Sequence, residues 1–104
     1  MTTNSPQLDP VWQRAKGLLA QMSLDQKLGQ MHQVNGAGGV VTDQLADGVR
    51  NGSIGSVINE VDLATVNELQ RLAVEETRLG IPLLIGRDVI HGFKTIFPIP
   101  LGQA

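Results

Sequence analysis

The chain has 104 residues, 41% of them hydrophobic, with 8 Lys and Arg set against 10 Asp and Glu for a net charge of −2 and no Cys. That balance describes one soluble globular unit, excludes disulfides and thiolate metal ligands, and scatters its cations too thinly for a nucleic-acid surface. No apolar run approaches the ~20 residues needed to span a bilayer, and aromatics at 3% offer no stacking platform for single strands.

Residues 1 to 9 form a polar leader without a basic or apolar signal region, so a cytoplasmic location is expected. Asp9 and Pro10 supply an N-cap and a first helical position. Val11, Ala15, Leu18, Leu19 and Met22 recur at helical spacing, which predicts an amphipathic helix over 10–21. Ser23 and Gln26 match a capping box for a second helix, with Leu24, Leu28 and Met31 as its apolar stripe and an end near Gln33. Asn35 to Gly39 is a flexible breaker and reads as a linker. It does not qualify as a phosphate loop, because it follows a predicted helix and lacks a Lys-Ser/Thr pair.

Thr42 caps a short helix to Arg50 that buries Leu45 and Val49 and leaves through Asn51 and Gly52. Ile54 to Ile58 is the first predicted strand, and its small Gly55 and Ser56 mark a close approach of another backbone or side-chain layer. Asp62 caps the next helix, with Leu63, Val66, Leu69, Leu72 and Ala73 on one face and Glu68, Arg71, Glu75, Glu76 and Arg78 exposed. Gly80 and Pro82 end it. Pro82 to Ile85, between Gly80 and Gly86, is a short buried strand. Strand, helix and strand make a right-handed βαβ unit, an α/β architecture with two parallel strands and flanking helices. Thr95 to Leu101, interrupted by prolines, is a surface segment.

Parallel strands bring Asn59, Glu60, Arg87 and Asp88 to one edge, where α/β proteins bind ligands. From position alone, Asp88 reads equally as an acceptor for the hydroxyls of a ligand or as a loop cap. Glu60 and Asp88 could be imagined as the carboxylate pair of a retaining glycosidase, which needs about 5 to 5.5 Å; this is the weaker assignment. Arg87 is expected in a structural ion pair. His91 is expected to pack a loop and His32 to sit at a helix end, since two imidazoles without Cys do not meet zinc spacing. No catalytic role falls on Lys94 or Thr95.

The run LLIGRDVIHGFKTIFPIPLGQA resembles the segment around the second barrel strand of family 3 glycoside hydrolases, which include many β-glucosidases. Upstream, Met22 to Met31 resembles the helix that opens that barrel domain, and Gly52 to Asn59 its first strand. The resemblance implies that residues 10–104 are the N-terminal portion of a (β/α)8 TIM-type barrel, incomplete at this length. It also implies a parent enzyme that releases terminal β-D-glucosyl residues with retention, acting on β-glucosides or oligosaccharides without a cofactor or metal. Asp88 matches the family's Asp that binds hydroxyls of the non-reducing-end sugar; the nucleophile and acid/base lie elsewhere. The fragment itself is then expected to be inactive and to self-associate. The alternative is a non-catalytic half-barrel module that self-associates or binds a sugar or protein partner.

Overall fold

The computed structural model describes residues 8–90 and 92–93. Their order is α1 (Leu8–Gln21), α2 (Leu24–Gln30), β1 (Gln33–Asn35), α3 (Asp43–Arg50), β2 (Ser56–Ile58), α4 (Leu63–Glu75) and β3 (Leu84–Gly86). The strands form one parallel sheet in the order β1-β2-β3, with Val34 opposite Val57 and Val57 opposite Ile85. Chain order therefore equals spatial order, with α3 and α4 as the two crossovers. His91 and the Thr95 to Leu101 segment lie outside the described residues.

Among the described residues the sheet has three strands where the sequence predicted two. β1 escapes pattern reading because Gln33-Val34-Asn35 holds a single apolar residue, too short a run to show alternation. Its partner imposes the conformation: the His32 carbonyl accepts from the Gly55 and Ser56 amides, and the Gly36 amide donates to the Ile58 carbonyl. Consequently Gly36 to Gly39 joins β1 to α3, where the sequence predicts a link between two helices.

β3 is also displaced from the predicted 82–85. Pro82 has no N–H to give a ladder. The Leu83 backbone is taken on both sides by Gln70 of α4, whose Oε1 accepts from its N–H and whose Nε2 donates to its carbonyl, each at 2.8 Å.

Three of the four predicted caps hold, whereas Asp9, expected as the N-cap before a helix starting at Pro10, lies within the first turn of α1, which already begins at Leu8. Ser23 and Gln26 form the reciprocal capping box, and Thr42 and Asp62 accept from the Leu45 and Thr65 amides. Each such cap is worth about 1 kcal/mol to its helix. The Thr65 hydroxyl, followed by the Thr65 amide, holds the Asp62 carboxyl below its ordinary pKa.

One face of the sheet packs on α3 and α4. Val57, fully buried between Val34 and Ile85, belongs to one core cluster with Leu45, Ala46 and Val49 of α3 and Leu69, Leu72 and Ala73 of α4. Burying each large side chain contributes roughly 1.5–3 kcal/mol. Across the helix surfaces, Glu76 accepts from Arg50 and Arg71, both at 2.8 Å, and Arg71 also pairs with Glu68 at 2.7 Å.

The predicted stripe on α2 does not face this core: Leu24, Leu28 and Met31 are 71%, 52% and 79% exposed. Leu63, expected on the buried face of α4, is also exposed. Helical periodicity was correctly legible in both, but burial needs a partner surface, and α2 is anchored along a different line. Its Gly29 lies so close to the Gly52 carbonyl that a Cβ would sit 1.8 Å from the oxygen, and a Cβ on Gly55 would sit 2.5 Å from the Gln30 carbonyl. The expected close approach at Gly55 is thus the end of α2. Arg78 completes the attachment, donating to the Gln21 carbonyl and to Gln26 Oε1.

Candidate functional site

The three strands end together, presenting Gly36 to Gly39, Asn59 to Asp62, and Arg87 to Ile90 along one edge of the sheet. The hydrogen-bond ladder runs on past the paired residues, because the Asn59 amide donates to the Gly86 carbonyl at 2.8 Å. These loops hold the residues singled out from the sequence, and the structure gives them different roles.

Glu60 is a structural carboxylate. It is 3% exposed. Its Oε1 accepts from the Gly39 amide, and its Oε2 accepts from the Val61 and Asp62 amides, all at 3.1 Å. One side chain thereby ties the β1–α3 loop to the β2–α4 loop. Gly36 is required beside it, since a Cβ there would lie 2.7 Å from the Glu60 Cβ. The glycine-rich loop follows a strand after all, yet the anion its Gly39 amide binds is the protein's own Glu60. A buried carboxylate engaged in this way is not placed to pair catalytically with Asp88.

Asp88 is exposed at the end of β3. Its amide donates to Asn59 Oδ1 at 2.9 Å, and its own Oδ1 accepts from the Ile90 amide at 3.0 Å. The loop-cap reading of Asp88 is therefore seen in its Oδ1. One oxygen closes a turn, while Oδ2 has no hydrogen-bond partner among the described residues. Arg87 departs from expectation. Its guanidinium lies over the Phe93 ring, 4.7 Å from the centroid, and it makes no ion pair with an Asp or Glu among the described residues. Both residues lie past the end of β3 at Gly86, and there the flat cation stacks on an aromatic face.

His32 follows α2 as expected. Its Nδ1 is 2.9 Å from the Ser53 carbonyl, a contact that joins the segments leading into β1 and β2. A half-open cavity of about 100 Å³ also lies at this opposite edge, lined in part by Gln26, Gln30, Gly52, Ile54, Arg78 and Ile81. Those residues precede the strands, on the side where parallel α/β folds place stability and not chemistry.

A family profile described as "Glycosyl hydrolase family 3 N terminal domain" matches residues 23–104. The chain belongs to glycosyl hydrolase family 3. The matched region begins at the α2 capping box and takes in all three strands, so the glycine loop, Asn59, Glu60 and Asp88 are all family 3 positions. The periplasmic beta-glucosidase of Salmonella typhimurium is 32% identical over 87 residues, which is 84% of this chain and 11% of that protein. The chain thus spans about a tenth of the length of this relative. The relative's name puts it in the periplasm, which counts against the cytoplasmic location expected from residues 1 to 9. Among the described residues, no helix is long and apolar enough to cross a membrane.

Sequence reading missed the part played by Asn59. The signal was present in an Asn placed directly after a strand, since Asn tolerates left-handed backbone that other side chains avoid.

Proposed function

We propose that residues 10–104 are the N-terminal portion of a (β/α)8 barrel in a retaining β-glucosidase-type enzyme, and that Asp88 holds sugar hydroxyls there. The observation carrying this reading is Asp88 itself. It lies in the family-matched region at the carboxyl end of β3, with one carboxylate oxygen used locally and Oδ2 without a described partner. The parallel strands in sequential order and the β-glucosidase relative support the parent fold and reaction class. In such a reaction one carboxylate attacks the anomeric carbon while an acid protonates the departing oxygen, and water then hydrolyses the glycosyl-enzyme intermediate. Asp88 takes no part in either bond change. Its carboxylate accepts hydrogen bonds from adjacent hydroxyls and fixes the ring for attack.

Asp88→Asn tests this in the full-length protein. The amide keeps an oxygen for the Ile90 N–H, so the turn and the melting temperature should hardly change. A charge-assisted hydrogen bond to substrate is worth about 1.5–3 kcal/mol, which converts to a loss of roughly one to two orders of magnitude in kcat/KM. A lower melting temperature with unchanged kinetics would reduce Asp88 to a loop cap. Because Glu60 is committed to backbone amides, the isolated 104-residue chain is expected not to hydrolyse aryl β-glucosides. Turnover above buffer by the purified chain would refute that expectation.

A further inference from the structure

We infer that Asn59 is a positioning residue for Asp88, setting its carboxylate from the neighbouring strand; this rests on Asp88 as the acceptor of sugar hydroxyls. Asn59 directly follows β2 with φ at 70°, and it is the one non-glycine with positive φ among the described residues. Left-handed backbone is unfavourable for L residues, though least so for Asn, and tends to be kept where the surroundings hold it for function. Glycine would meet the φ requirement at no steric penalty. What Asn adds is its side chain, and Oδ1 accepts from the Asp88 amide at 2.9 Å.

The rest of the geometry makes that bond matter. The Asn59 amide is itself fixed to the Gly86 carbonyl at 2.8 Å, so the left-handed residue is held by β3 while its side chain reaches the turn that leaves β3. The Asp88 amide is thereby fixed from β2, and the Asp88 Oδ1 is fixed by the Ile90 amide at 3.0 Å. These two restraints orient the carboxylate and leave Oδ2 for a ligand. Without Asn59, only the local turn would hold Asp88. A misplacement well under the length of a hydrogen bond is enough to weaken contacts to a positioned substrate.

The test compares Asn59→Gly, Asp88→Ala and the double variant in the full-length protein, using an aryl β-glucoside. Asn59→Gly suits the left-handed backbone, so it removes the side-chain bond without adding strain. It is expected to lower kcat/KM by about two- to tenfold, the value of one neutral hydrogen bond. The loss should divide between KM and kcat as the Asp88→Ala loss does, and it should vanish in the Asp88→Ala background. A drop in melting temperature with unchanged kinetics per folded molecule would overturn the inference. So would an equal kinetic loss with or without the Asp88 carboxylate. If Asp88→Ala alone leaves kcat/KM unchanged, the reading of Asp88 falls and the inference falls with it, a result distinct from either Asn59 outcome.

Discussion

Glu60→Gln changes one acceptor atom in a buried side chain that receives three backbone amides, and its consequences follow from that geometry. In one amide orientation the new NH2 faces the Gly39 N–H; in the other it faces those of Val61 and Asp62. Either way a donor meets a donor, and the bonds that survive lose their charge assistance. Losing one charge-assisted bond costs about 1.5–3 kcal/mol, so about 2 kcal/mol is a fair central figure for the pinned loops. At 1.4 kcal/mol per decade, the open population of these loops should rise about 30-fold. Amide hydrogen exchange in the full-length protein, read by mass spectrometry over 36–39 and 60–62, measures that population. Exchange on α4, around Leu69 and Leu72, should change far less. Unchanged exchange at the loops, together with a loss of several orders of magnitude in kcat, would refute this reasoning and make Glu60 one of the reacting carboxylates.

Hydrogen bonding from Arg50, followed by Arg71, holds the Glu76 carboxyl below its ordinary value of 4.5. A folded-state pKa below the unfolded one contributes stability above about pH 4.5 that is lost as pH falls through the depressed value. Glu76→Gln should therefore lower the melting temperature at pH 7 in low salt and flatten its decline between about pH 5 and pH 3; identical pH profiles would count against the pairing. The isolated chain, with Leu24, Leu28 and Met31 exposed and β1 and β3 as edges unpaired among the described residues, is expected to form dimers or larger species in sedimentation, whereas a monomer at all concentrations would refute this.

Local signals in the sequence translated directly into local structure. The Ser23-Gln26 box, the Thr42 and Asp62 caps and the stripe Leu69-Leu72-Ala73 each act within a turn or two of helix, and each is found in place. The cluster of Asn59, Glu60, Arg87 and Asp88 at one edge was also legible, because parallel strands joined by a helix must end on the same side.

The parallel pairing of β2 with β3 was legible as a βαβ unit, but the pairing of β1 with β2 was not. Gln33-Val34-Asn35 becomes a strand only because His32 and Gly36 bond to β2, and that strand in turn moves the glycine loop to the site edge. Likewise no pattern in the sequence distinguishes Glu60, buried beneath a glycine loop 21 positions upstream, from Asp88, exposed with an oxygen to offer. Side-chain type and periodicity are properties of the chain and determined the elements, their caps and the edge that carries the polar residues. The environment of each carboxylate, the solvent-facing stripe on α2 and the Asn59 bond across to Asp88 depend on which segments meet in space, and the tertiary structure alone decided them.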